Sequence, residues 1–203
     1  MEILKSSITG LLVLASTFAM AQTNLQKSFT ESYGYEAEKK YESAIASINE
    51  VKTENCYECY YRLGWLNYAA GKTTEAATNY WAASKIMPAA TEPLWGLVTL
   101  YAKAEKWADL EKTYLAILKI DIKNTIANYR LGLIYYYRKD YVNAKKYFDV
   151  ALNLYPTDTD SLLMSAWTSY FLGNIAAAKV LFNKVILLQP SNTSAGEGLK
   201  LVK

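Results

Sequence analysis

Two cysteines, Cys56 and Cys59, are the side chains of this chain whose type and spacing offer covalent chemistry, because histidine is absent from all 203 residues. The missing imidazole removes the commonest general base and the commonest metal ligand together. A tetrahedral zinc site wants four good ligands, and two thiols would have to be completed by carboxylates or by a second chain. No catalytic residue, metal or other cofactor is therefore expected. For Cys56-Tyr57-Glu58-Cys59 three kinds of chemistry compete. A structural disulfide is the plain reading, worth about 2 kcal/mol for so short a loop. A redox pair is the sharper one, since a helix N-terminus lowers a thiol pKa, yet no thioredoxin-like alternation of strands and helices surrounds it. Covalent haem attachment would need histidine after the second cysteine, where Tyr60 stands. Free or intermolecular thiols stay open beside these.

The other residues with chemical potential are aromatic: 18 Tyr and 5 Trp supply broad contact area, few rotors and a polar edge, the profile of binding anchors. The formal charge is only +3, with Lys, Glu and Asp interleaved, so no block of like charge points to nucleic acid or anionic lipid. At the N-terminus Lys5, the apolar run from Ile8 to Phe18 and the small-x-small triplet Ala19-Met20-Ala21 form an export signal, with cleavage expected near Ala21/Gln22. The run is well short of the roughly 20 residues a bilayer requires, and no later segment is a second candidate. A periplasmic or secreted protein is expected, with no transmembrane segment in the mature chain.

What positions the aromatics is a repeat. Pro88, Pro156 and Pro190 fall on a 34-residue stride, with Ile122 in the missing place. Ala76, Ala144 and Ala178 keep the same step with Leu110 in the gap, and Tyr80, Tyr114, Phe148 and Phe182 have no gap. Leu63, Leu97 and Leu131 share it, as do Gly64 and Gly132. Within one period Leu131, Ile134 and Tyr135 mark one helical stripe, Lys139-Asp140 breaks it, and Tyr141, Ala144, Phe148, Ala151 and Leu152 mark a second before Pro156. Small residues let paired helices approach, aromatics fill the space between, and proline ends the second helix.

This pattern resembles the tetratricopeptide repeat, carried most fully by Leu131, Gly132, Tyr135, Ala144, Phe148, Ala151 and Pro156. The unit near Tyr57 follows through Leu63, Gly64, Ala76, Tyr80, Ala83 and Pro88; the unit from Thr159 has Ser165-Ala166 for Leu-Gly. The unit from Thr91 diverges most, with Val98, Leu110 and Ile122 at the glycine, alanine and proline places. An opening unit with Tyr35, Ala44, Ile48 and Val51 is 32 residues from the next, which predicts a turn before Tyr57 about two residues shorter than the others. The resemblance implies an all-α, right-handed superhelical solenoid of antiparallel helix pairs. Its repeats lie near 25–56, 57–90, 91–124, 125–158 and 159–192 inside a domain spanning 22–192. Residues 193–203 are a tail or a capping helix weakened by two glycines.

In that family the first helices line a concave face, which implies a binding protein and not an enzyme. The inward stripe holds Tyr61, Arg62, Trp65 and Tyr68, then Trp95, Thr99 and Lys103. It continues with Tyr129, Arg130, Leu133, Tyr136 and Tyr137, and ends with Met164, Trp167, Tyr170 and Phe171. Core packing is the competing role for such aromatics, above all for Tyr68, Tyr136 and Phe171. The expected groove set is Tyr61, Arg62, Trp65, Trp95, Tyr129, Arg130, Leu133, Tyr137, Met164 and Trp167, with the two arginines able to hold a carboxylate or carbonyl. The Lys and Asn clamp that some family members use for a C-terminal carboxylate is replaced here by Tyr61, Trp65, Tyr129 and Leu133. The expected partner is a protein or peptide segment bound by a cell-envelope adaptor or assembly factor. A thiol-disulfide protein built on Cys56 and Cys59, and carbohydrate recognition by stacked aromatics, are the alternatives. The sequence does not specify an oligomeric state.

Overall fold

The computed structural model describes residues 22–203, and the export signal expected over residues 1–21 lies outside them. The described secondary structure is helical: residues 22–37 (α1), then α2 (Tyr41–Val51), α3 (Tyr57–Ala69), α4 (Thr73–Ile86), α5 (Glu92–Lys103) and α6 (Trp107–Ile120). After these come α7 (Thr125–Tyr137), α8 (Tyr141–Leu154), α9 (Thr159–Phe171), α10 (Ile175–Leu188) and α11 (Thr193–Leu201). They belong to two compact units, one ending at Leu100 and one beginning at Tyr101. In the first, α3 pairs with α4 while α2 lies against α3; in the second, α7 pairs with α8 and α9 with α10. Each unit is an all-α stack of antiparallel helix hairpins.

The tight turn inside each hairpin is the same at every recurrence. The residue after the helix cap has positive φ at Lys39 (59°), Gly71 (78°), Glu105 (53°), Lys139 (62°) and Gly173 (76°). Around Lys139 the two amides that follow the helix fold back, Lys139 N–H to the Tyr136 carbonyl and Asp140 N–H to the Tyr135 carbonyl, each at 2.9 Å. This satisfies carbonyls that would otherwise end the helix unpaired. Only two of the five turn positions are glycine. The lysines and the glutamate tolerate the left-handed region at a cost of about 1 kcal/mol each, small enough for the hydrogen-bonded turn to impose it.

The starts of the first helices are capped on the 34-residue stride. Asn124, Asp158 and Asn192 accept hydrogen bonds from the amides of Ala127, Ser161 and Ala195 at 3.0, 3.1 and 2.9 Å. At the equivalent place Cys56 precedes α3, and its Sγ accepts from the Cys59 amide at 3.2 Å while bonded covalently to the Cys59 sulfur. The disulfide thus stands where the other repeats put a polar cap. Cys59 is fully buried beside Ala44, Ile48, Leu63 and Leu66. The turn before Tyr57 is not shortened as the 32-residue step predicts. The loops 52–56 and 87–91 have equal length, and the deficit falls in α2, which has 11 residues where α4 has 14. In the opening unit Ala44 and Ile48 are fully buried as expected, whereas Tyr35 is exposed.

The core of each hairpin is a ring laid against a helix backbone. A Cβ added to Gly132 would lie 2.5 Å from Cε1 of Phe148, and one added to Gly64 would lie 2.5 Å from Cδ1 of Tyr80. Gly96, two residues before the Val98 that occupies the expected glycine place, meets the far edge of the same Tyr80 ring. Tyr80 is therefore held between α3 and α5. At the C-terminus Gly198 receives Phe182 in the same way, so one of the two glycines expected to weaken the last helix is what lets α11 dock. Ala195 and Val202 are buried with Phe182 in that docked end.

Gly132→Ala decides between two opposed effects. Helix propensity alone would stabilise by about 1 kcal/mol, whereas overpacking against Phe148 costs about 1–3 kcal/mol. A net loss is expected in denaturant melts, recovered in part by adding Phe148→Leu. Reducing the disulfide is expected to cost about 2 kcal/mol. Replacing both cysteines with Cys56→Asn and Cys59→Ala is expected to regain about 1 kcal/mol of that through a polar cap, read from the same melts.

Candidate functional site

Each unit contains a hollow floored by its first helices. In the first unit the walls are Tyr61, Trp65 and Tyr68 of α3, Tyr80 of α4, and Trp95 and Thr99 of α5, with Glu92 and Gly96 completing a space of about 310 Å³. The wall is built on the knob: the Tyr61 ring leans on Tyr80 with centroids 5.9 Å apart, and Trp65 packs on Tyr68 at 5.9 Å. Burial pushes the Tyr80 hydroxyl far above its ordinary pKa, so it stays a neutral donor. Tyr61 and Trp65 are 39% and 44% exposed, large values for rings that no helix of their own unit covers. Of the residues expected in the groove, Tyr61, Trp65 and Trp95 are thus brought together. Thr99 joins them, and so does Tyr68, which was the candidate for core packing.

Arg62 is placed differently from its expected role. It is 5% exposed, paired through Nη1 with Glu36, donating from Nε to Ser32 Oγ at 3.2 Å, and lying over the Tyr33 ring at 3.8 Å. All three partners come from the last turns of α1, so this guanidinium latches α1 onto α3 instead of facing a ligand. Glu36 also accepts from Trp65 Nε1, which fixes the indole at the edge of the hollow. Burial by itself raises the Glu36 carboxyl, but hydrogen bonds from Trp65 and Arg62 and the guanidinium charge outweigh it and hold the pKa below its ordinary value of 4.5.

The second unit has a hollow of about 580 Å³ bounded by Thr125, Ile126, Tyr129 and Arg130 of α7, Ala151 of α8, and Tyr155, Thr157, Asp158, Asp160 and Ser161. Tyr129 leans on Phe148 at 5.8 Å, repeating the Tyr61 arrangement, and Arg130 stays at the surface near the Tyr129 ring. Burial and the Asp160 carboxylate push the Tyr129 hydroxyl up, with Arg130 opposing. Leu133, Tyr137 and Met164 do not line this hollow. Trp167 is also elsewhere: it packs edge-on against Phe182 at 5.0 Å and donates Nε1 to Ser194 Oγ at 2.9 Å, so it secures α11 to the core. Trp167, expected in the groove, is half-buried, with its N–H turned toward α11.

Residues 126–158 and 159–192 match models of the tetratricopeptide repeat, and residues 58–80 match part of another. These stretches carry the tetratricopeptide repeat. This repeat is a non-catalytic scaffold, and among the described residues no group of three His, Cys, Asp or Glu is placed to hold a metal. No helix among them is long and apolar enough to cross a membrane. The fold is similar to a tetratricopeptide repeat protein from Parabacteroides merdae, at 21% identity over 89% of this chain and 72% of that one, TM-score 0.66. It is also similar to YrrB, described as a TPR protein with an unusual peptide-binding site, at 16% identity over 92% and 97%, TM-score 0.64. The first TPR of Spaghetti, solved bound to an HSP90 peptide, aligns at 20% identity over 55% and 89%, TM-score 0.50. No curated protein sequence matches significantly.

Sequence reasoning missed Glu92, Tyr155, Asp158 and Asp160 at the hollows, and Glu36 in the latch. Asp158 was legible in principle, since it shares the stride of Asn124 and Asn192. Glu36 was not, because its partner lies 26 residues away, beyond α2 and the two connections that flank it.

The latch has a pH signature. A carboxyl held below its ordinary pKa stabilises the fold above that value, and the contribution is lost as pH falls through the lowered one. Glu36→Gln is expected to cost about 1–2 kcal/mol at pH 7. That difference should begin to shrink as pH falls below the ordinary value of 4.5 and vanish only once pH is below the lowered one, as followed by thermal melts across pH.

Proposed function

We propose that this chain is an exported, non-catalytic adaptor that holds a segment of another polypeptide in the aromatic hollow of its first unit. The observation that carries the reading is the wall of Tyr61, Trp65, Tyr68 and Trp95, solvent-facing rings fixed from behind by Tyr80 and from the side by Glu36. Rigid rings with polar edges lose little entropy on contact and are the usual anchors of interfaces. The peptide-binding description of YrrB and the peptide held by Spaghetti favour the same use of the fold. Arg62 is set aside from the expected binding set because its side chain is buried and paired, and Trp167 lies outside both hollows. Tyr129 and Arg130 are a second contact area, and Leu133, Tyr137 and Met164 are peripheral to both hollows.

A periplasmic or extracellular site of action belongs to the same proposal. It rests on the residue pattern before Gln22 and on the Cys56–Cys59 bond, which an oxidising compartment preserves. The bond is placed as a staple: Cys56 stands at the capping place before α3, and Cys59 is packed in the core beside Ala44, Ile48, Leu63 and Leu66.

Selection of displayed random peptides on the protein beginning at Gln22 tests the reading. Binders are expected whose affinity falls at least about tenfold with Trp95→Ala or Trp65→Ala, measured at a temperature where each variant stays folded by circular dichroism, the loss of a central aromatic anchor being worth about 1–2 kcal/mol or more. No enrichment, or binders indifferent to both substitutions, would contradict it.

A further inference from the structure

The charge distribution around the first hollow identifies the kind of side chain it accepts. Its lining contains one ionisable group of full charge, the carboxylate of Glu92, and no lysine or arginine. Glu92 sits at the start of α5 near Tyr57, whose hydroxyl pKa burial first and the Glu92 charge next push above its ordinary value. The nearest buried cation, Arg62, is turned away toward α1 and neutralised there by Glu36, so its charge does not offset Glu92. The walls are ring systems with negative faces, and Trp65 is the more electron-rich for donating its N–H to a carboxylate.

An aromatic enclosure with one fixed carboxylate and no cation is complementary to positive charge. We propose that the hollow takes a cationic side chain, a lysine or arginine of the bound segment, as its anchor, with the stem against Tyr61, Trp65 and Trp95 and the charged end toward Glu92. This rests on the peptide-binding reading above and narrows it. An aliphatic anchor would gain the ring contacts but no ion pair, and an acidic one would be repelled by Glu92. A cation gains both the ring faces and the ion pair. The second hollow differs in kind, since Arg130 stands in it together with Asp158 and Asp160 and no single sign prevails.

The test uses single-residue probes, so that it stands apart from peptide selection. N-acetyl-lysine methylamide and N-acetyl-arginine methylamide are titrated into the protein while the indole N–H signals of Trp65 and Trp95 are followed by NMR, with the norleucine and glutamate analogues in parallel. The cationic probes are expected to shift both signals saturably, with roughly millimolar dissociation constants. Glu92→Gln should weaken them about threefold to tenfold and leave the melting temperature unchanged. Norleucine binding as tightly as lysine, indifference to Glu92→Gln, or no shift with either cation would overturn the proposal. If peptides selected independently still depend on Trp65 and Trp95, the peptide-binding reading survives that failure; if none are selected, both fall.

Discussion

The structure depends on one recurring contact: an aromatic ring of a second helix pressed against the bare backbone of a neighbouring helix. Tyr80 against Gly64 and Gly96, Phe148 against Gly132, and Phe182 against Gly198 of α11 are instances of it, made by α4, α8 and α10. Because a glycine offers no side chain, the ring reaches the helix backbone and fixes the spacing of the helices. Because the ring is large and fully or nearly fully buried, it supplies much of the local apolar burial. The contact also sets up the candidate site, since Tyr61 and Tyr129 are seated on these rings and present their outer edges to the hollows.

Around that contact the backbone is closed by hydrogen bonds that recur with little regard to side-chain identity. Five turns use a left-handed residue, and only two of those residues are glycine. Asparagine, aspartate and a disulfide-bonded cysteine occupy the same capping place before the first helices. The repeat is therefore defined by geometry at these places and by side-chain size at the ring contacts, which explains why some positions of the stride are strict and others drift. Val98, Leu110 and Ile122 mark the drift in one unit; Leu110 remains buried while Ile122 is 74% exposed, so the proline place tolerates a residue with no packing role.

The stride of Pro, Ala and aromatic residues made the helix pairs and the knobs legible, because size at a fixed interval is a property of sequence alone. What escaped was pairing between hairpins. Gly96 and Gly198 lie two residues off the places where the pattern put a small residue, and their role emerges only when the neighbouring ring is placed against them. Arg62 and Arg130 occupy the same repeat position, yet one is latched by Glu36, Ser32 and Tyr33 while the other stays at the surface. The difference lies in the partners, since α1 brings a serine, a tyrosine and a glutamate to Arg62. Trp65 donates to Glu36 of α1 and stays 44% exposed, whereas Trp167 donates to Ser194 of α11 and is half-buried.

Ring contacts to the core hold the wall of the first hollow in place at the surface, where a guest polypeptide is proposed to lie. Photo-cross-linking from benzoylphenylalanine placed at Thr99, on the rim of that hollow, addresses it in the producing cells. Mass spectrometry is expected to find cross-links converging on one segment of another polypeptide, lost when Trp95→Ala is added. Cross-links only within the chain itself, or scattered over unrelated proteins and unaffected by Trp95→Ala, would contradict it.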